Sequence, residues 1–530
     1  MKKYTFILAT LAFGFASCEP EFENPINDQT YHSGRADFST YVALGNSLTA
    51  GYMDNAVFKS GQKFSFPNIL AEQLRYAGGG EFTQPSYEDD INDLGGLVLN
   101  GMKISDTRMV ILMQGTSGTP VNLAGTPTVE VSNLQQQAYH NMGIPGAKSF
   151  HLLAQGYGNL AGVANGTANP YFVRHATSPS TTVLQDAMRL NPTFFTNWIG
   201  SNDVLAYALS GGTGVNQLGN LNPATYGGSD ITDPQVFASV YTTIIETLTS
   251  NGAKGVVATI PYVTSIPHFT TVPYNPLTSQ ALGGNEVVNS LNTQLFGALK
   301  TVLTMLNAGD RIQLLSPTEG NPLLIKDESL TDLSVQIMQI ASQDPQLAPL
   351  APVLAQLYGQ ARHATSEDLF VLSTSGVIGQ TSTHPIFNQV PEPYKSALSK
   401  IGVTFPLEDK YVLIPSELEE IKTATDAFNQ VIVSIAAQKD LTVADMNGIM
   451  KQLVNGLYVD DGQFYTADYF NGMANLNTVM FSLDGIHPNA RGYALVANEI
   501  VKKINIHYGA KVPNVYIGKY PGPTLVTSNN

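Results

Sequence analysis

Four short stretches of this 530-residue chain hold the residue types that acyl chemistry needs. Gly45-Asn46-Ser47-Leu48-Thr49-Ala50-Gly51 places a serine among small residues directly after an apolar run. Asp484-Gly485-Ile486-His487-Pro488 places a carboxylate three residues ahead of a histidine, on one turn ended by proline. A serine hydroxyl becomes an effective nucleophile when a histidine takes its proton and a carboxylate fixes the histidine tautomer. One loop can hold both partners. Asn141-Met142-Gly143-Ile144-Pro145-Gly146-Ala147 is a Gly-rich loop, and Trp198-Ile199-Gly200-Ser201-Asn202-Asp203 closes a second apolar run. Negative charge developing on a carbonyl oxygen is stabilised by fixed donors such as backbone N–H groups and an Asn amide. Gly146 and Asn202 can supply one of each. Taken singly, each stretch also has a purely structural reading: Asn46 and Ser47 as a helix cap, the Asp-Gly-x-His-Pro run as a surface turn, the glycines as strand ends. Thr381-Ser382-Thr383-His384-Pro385 repeats the His-Pro pair without the acid, so His384 is set apart from the site.

Residues so far apart in the chain need a scaffold that brings them to one edge. Phe38 to Leu44 is apolar, β-branched and aromatic and runs into Gly45, the pattern of a buried strand entering a turn. Pro67 to Tyr76 reads as a surface helix, a helix at about 182–190 leads into a strand at Thr193 to Ile199, and a helix at 234–250 leads into Gly255 to Ile260. Ser416 with Glu419 reads as a capping box opening a helix to about Gln438, followed by a strand at Leu441 to Met446. Strand and helix alternating at this spacing predict parallel strands with covering helices, an α/β sandwich. Two segments interrupt it. Residues 78–135, rich in Gly, Thr and Pro, read as an irregular or β-hairpin insertion; 270–410, with helical stretches at 286–307 and 329–361 and a strand-like run at 368–377, reads as a larger one.

In this order the four stretches, GNSL, NMGIPGA, GSND and DGIHP, resemble the blocks of the SGNH, or GDSL-like, hydrolase family. The resemblance covers about 36–77, 138–203, 235–265 and 416–505, and neither insertion. It implies a flavodoxin-like three-layer α/β/α sandwich within a domain spanning 36–510, followed by a C-terminal tail at 511–530. It implies Ser47 as nucleophile, His487 as general base and then acid, and Asp484 as its orienting partner. The oxyanion hole would comprise the Ser47 and Gly146 N–H groups and the Asn202 side chain. Asn46 stands where the family usually has Asp, and an Asn can make the same local hydrogen bond. The implied reaction is ester hydrolysis through an acyl-enzyme, with no metal or organic cofactor. None of the nine histidines forms an HExxH or His-x-His pair.

The chain begins with Lys2 and Lys3, an apolar run from Tyr4 to Phe15, then Ala16, Ser17 and Cys18, its one cysteine. This is the layout of a secretory signal over 1–17, too short to remain as a membrane span. Ala-Ser-Cys resembles a bacterial lipobox that would leave Cys18 lipidated, with 18–35 as a tether. An exported lipoprotein anchored at the outer membrane or cell surface is expected. A single cysteine excludes a disulfide framework and multi-cysteine zinc sites. With 27 basic against 42 acidic residues, the net charge of −15 argues against nucleic acid as a partner. Two substrate classes fit. The apolar insertion residues Leu303, Leu306, Leu330, Leu333, Ile337, Ile340, Leu350 and Leu357 line an acyl-chain site in a lipase or long-chain esterase, or the insertion shapes a cleft for O-acetylated glycans. The other reading of these side chains is that they simply fill the insertion's own core. A binding lipoprotein that keeps the fold without the reaction is the non-enzymatic alternative.

Overall fold

The computed structural model describes residues 30–115, 117–345, 347–459 and 462–527. The leader, Cys18 and the tether as far as residue 29 lie outside the described residues. The central sheet has five strands, β1 (Tyr41–Gly45), β2 (Asn141–Gly143), β3 (Phe194–Trp198), β4 (Lys254–Ala258) and β5 (Thr442–Ala444). They lie in the order β2-β1-β3-β4-β5 and every pairing is parallel. Gly45 is level with Gly143 on one side and with Trp198 on the other. The three loops that follow these strands therefore leave the sheet side by side. The chain passes from β1 to β2 on one side and returns to β3 on the other, and open α/β sheets form a ligand crevice at the carboxyl ends beside such a reversal.

Eight helices concern the site and its support: α1 (Ser47–Ala50), α2 (Phe66–Leu74), α3 (Val183–Met188), α4 (Asn202–Leu209), α5 (Pro234–Thr249), α6 (Pro415–Gln438), α7 (Met446–Val454) and α8 (Ala490–Tyr508). β1 and β3 are buried at every residue, so both alternating sets of side chains must be covered. α2 packs with α8, and α5 with α6. Phe237 of α5 stacks on Phe428 of α6 at 4.2 Å between ring centroids. At the end of α8 the Tyr508 hydroxyl donates to the Gly255 carbonyl at 2.7 Å, pinning the helix to β4. The architecture is α/β with a central parallel sheet flanked by helices, as the alternation predicts.

The expected strands correspond to β1, β3, β4 and β5 with ends shifted by one to three residues. α6 ends at Gln438 as expected, but opens differently: Pro415 is its first residue, and the Glu417 carboxylate, in place of a Ser416–Glu419 box, accepts the Ile414 N–H at 2.8 Å. Proline's fixed φ suits that first position. β2 falls inside the stretch read as a Gly-rich loop. Residues beyond Leu441 contribute three residues of strand, and the chain turns at Asp445 into α7, a helix the sequence reading assigns partly to that strand.

The first insertion carries two hairpins, Val98–Leu99 with Met102–Lys103 and Met109–Gln114 with Ser117–Asn122. Leu525–Thr527, from the C-terminal tail, adds a parallel strand to Met109–Gln114. The end of the tether is also docked, since the Arg35 N–H donates to the Tyr508 carbonyl at 2.9 Å. In the second insertion the helices Asn285–Leu291, Gly297–Met305, Ser334–Ala341 and Ala351–Tyr358 surround a core of their own. Leu303, Leu333, Ile337, Leu350 and Leu357 are buried in it, and Leu306 and Ile340 pack against it. These side chains fill the insertion's interior, as the second of the two readings has it, and none of them lines the pocket at Ser47, so the acyl-site reading does not hold for them. Within the run at 368–377 only Leu369–Phe370 is a strand, and Leu372–Gly376 turns as a 3₁₀ helix. No helix among the described residues is long and apolar enough to cross a membrane.

Candidate functional site

Ser47 is the first residue of α1, directly past the end of β1. Asn46 caps the helix: its side-chain oxygen accepts the Leu48 N–H at 3.0 Å, the local bond expected of this position. Gly45 is required because a Cβ there would stand 2.6 Å from the Trp198 carbonyl of β3. The first N–H groups of a helix have no partner within it, and among the described residues the Ser47 N–H donates to no backbone carbonyl. It is free to meet a ligand oxygen.

The Ser47 Oγ lies 2.9 Å from His487 Nε2, and His487 Nδ1 lies 2.9 Å from Asp484 Oδ2. A carboxylate only accepts, so Nδ1 carries the proton and the Nε2 lone pair faces the Ser47 hydroxyl. Asp484 Oδ2 also accepts the Asn55 N–H at 3.0 Å, and Oδ1 accepts the N–H groups of Ile486 and His487 at 2.8 and 2.9 Å. Burial pushes the Asp484 carboxyl up, but the His487 ring and these donors outweigh it and bring it down to about 2. It is ionised at neutral pH. The loop is closed behind it by the Ser482 N–H on the His487 carbonyl at 2.8 Å and by the His268 N–H on the Gly485 carbonyl at 2.9 Å.

The sequence reading passes over the segment that orients this loop. Met53 and Ala56 exchange two backbone hydrogen bonds of 3.0 Å around Asp54 and Asn55, whose φ values are 52° and 68°. This is a tight turn of the primed kind, and Asp and Asn are the residues that tolerate left-handed backbone there. It aims the Asn55 N–H at Asp484. Asp54 meanwhile accepts the Leu483 N–H and donates its own N–H to Ser482 Oγ, both at 3.0 Å. The Tyr52 ring lies against the His487 ring at 4.6 Å between centroids. The Asp-Asn dipeptide is a turn signal, but nothing in it points to a residue 429 positions away.

Of the remaining candidates, Asn202 lines the pocket with Ser47, and Gly146 stands in the loop after β2, the strand paired with β1. Asn202 opens α4, and its amide nitrogen donates to the Ala147 carbonyl at 2.9 Å, leaving its second hydrogen for the pocket. Asp203, fully buried, accepts both the N–H and the hydroxyl of Ser149 at 2.8 Å. These bonds fasten the loop that carries Gly146 to the start of α4. Gly146 has φ 79°, a left-handed conformation that glycine adopts at no cost, and among the described residues its N–H has no backbone acceptor. Ser47, Asn202 and His487 line one pocket. His384 lies in the second insertion, where its ring accepts the Ile386 N–H at 3.2 Å. No family model matches the chain, and no curated protein or solved structure matches it. The functional reading rests on the geometry.

Asp54 supplies a pH test of the clasp. Burial raises its carboxyl to about 7, with the Leu483 N–H offsetting part, the charge of Asp484 adding to the rise and Arg108 opposing it. Tyr469 and Tyr493 also face it. Between about pH 4 and pH 7 the folded protein holds a proton that the unfolded chain has released, so this group's stabilisation is lost as pH rises through that window. Asp54→Asn keeps the acceptor for Leu483 and removes the proton. Denaturant unfolding of both proteins at pH 5 and pH 8 should show the wild type losing about 3 kcal/mol relative to Asp54→Asn. Parallel pH dependences would contradict the assignment.

Proposed function

We propose that this protein is a serine ester hydrolase of the SGNH type, cleaving acyl esters through an acyl-enzyme. The observation that carries the reading is the pair of 2.9 Å contacts from Ser47 through His487 to an ionised Asp484. Ser47 Oγ attacks the acyl carbonyl while its proton passes to His487 Nε2, and Asp484 stabilises the imidazolium that results. The oxyanion is held by the Ser47 and Gly146 N–H groups and the free hydrogen of the Asn202 amide. Collapse of this intermediate breaks the ester C–O bond, and His487 returns the proton to the departing alcohol. Water, deprotonated by His487, then attacks the acyl-enzyme, releasing the acid and regenerating the serine.

The strand order β2-β1-β3-β4-β5 is that of flavodoxin-like sheets, which supports the finer fold assignment. The leader pattern and Cys18 support an exported chain held at a membrane by a lipid anchor. Metabolic labelling with palmitate should mark the protein in bacterial cells and fail with Cys18→Ser; undiminished label in that variant would argue against the anchor.

Hydrolysis of p-nitrophenyl esters tests the reaction itself. Ser47→Ala is expected to lower kcat by about 10³-fold or more, and Asp484→Asn, which permits the wrong tautomer, by about 10³–10⁴-fold. Hydrolysis that survives Ser47→Ala within tenfold would remove Ser47 from the mechanism.

A further inference from the structure

The pocket beside Ser47 has a volume of about 110 Å³ and a sharp division of chemistry. Its polar side chains are Asn46, Ser47, Ser201, Asn202 and His487, all at the reacting end, while the Trp198 indole N–H on its lining is bonded to the Thr259 carbonyl. The rest of the lining is apolar. Met446, Ile449, Met450 and Leu453 project from α7 at positions i, i+3, i+4 and i+7, one face of that helix, and Leu495 and Val496 of α8 stand beside them. α7 belongs to neither insertion. It follows β5 directly and is laid beside the nucleophile by the sheet itself.

Resting on the ester-hydrolase reading, we propose that this pocket is an acyl-chain site for about four carbons, so that the enzyme acts on esters of short-chain fatty acids. An acyl group bonded to Ser47 has its carbonyl oxygen on the oxyanion donors, and its chain leads into the carbon-walled part. A sugar in the same space would bury hydroxyls with no partner on α7 or α8, which is costly. Size sets the length. A dry apolar cavity of about 150 Å³ holds benzene, so about 110 Å³ holds roughly four carbons. Acetate leaves much of the pocket unfilled, and a palmitoyl chain exceeds it. The two methionines of α7 can shift to admit a further methylene or two.

The test is the full-length protein on p-nitrophenyl esters from acetate to palmitate, with Ser47→Ala, Met450→Ala and Leu453→Trp alongside. At about fourfold per buried methylene, kcat/KM should rise about 15-fold from acetate to butyrate, peak at butyrate or hexanoate and fall by dodecanoate. Met450→Ala, which deepens the pocket, should raise the octanoate-to-butyrate ratio about tenfold, and Leu453→Trp, which fills it, should raise the acetate-to-butyrate ratio by about as much. Ratios within one protein cancel any loss of folded material. A wild-type optimum at acetate or palmitate, or ratios that neither variant moves, would overturn the acyl site while Ser47-dependent hydrolysis kept the enzyme reading. Alkyl acetates whose rates climb with alcohol length, against a flat acyl series, would overturn it too by placing the alcohol in the pocket. Absence of Ser47-dependent hydrolysis with every ester would instead remove the enzyme reading on which the site rests.

Discussion

The contact between Ser47 Oγ and His487 Nε2 joins residues 440 positions apart, and the rest of the molecule is arranged to make it. Ser47 is placed by the end of β1, whose register with β2 and β3 levels three loops at one edge of the sheet. His487 has no strand beneath it. Its loop is carried in after β5 and α7, then held by backbone donors: Asn55 on Asp484, His268 on Gly485, and the loop's own N–H groups on Asp484 Oδ1. Several bonds, each contributing about 1 kcal/mol, remove the freedom that would otherwise let a six-residue loop drift. A 1 Å drift is enough to weaken proton transfer.

Two carboxyl groups beside this loop show how environment sets charge. Asp484 and Asp54 are both buried, yet the first is brought down to about 2 and the second raised to about 7. The difference is the donors. Asp484 faces four N–H groups including the His487 ring, whereas Asp54 has the Leu483 N–H and a neighbouring negative charge. One carboxylate orients the histidine, and the other remains protonated in mild acid, where it fixes the turn that presents Asn55. Separating two neighbouring carboxyls in this way is how one site assigns them different roles.

What the sequence reveals and conceals follows from where the information lies. β1, β3 and α5 are legible because their apolar runs and 3.6-residue periodicity report burial directly. Ser47, Asp484 and His487 are legible because the proposed reaction needs side chains of particular types. The Asn55 contribution is a backbone N–H, which any residue but proline owns, so only the turn's left-handed conformation leaves a mark. β2 is three residues long and ends in glycine, too short for a pattern. The insertion leucines mark a limit of another kind: apolar spacing reports that they are buried and leaves open an acyl site or the insertion's own core, and it is the second that they fill. Part of the pocket's lining is supplied by Met446, Ile449, Met450 and Leu453, whose spacing is helical but whose first residue is separated from a strand end by Asp445 alone.

The proposed reaction requires Ser47 to be a nucleophile activated by His487. A fluorophosphonate probe reads this directly, since attack by Oγ on phosphorus expels fluoride and leaves a fixed mass on the attacking serine. Intact-mass and peptide analysis should find one label, on the peptide carrying Ser47, and almost none in His487→Ala. A label on another residue, or equal labelling with His487 removed, would contradict it.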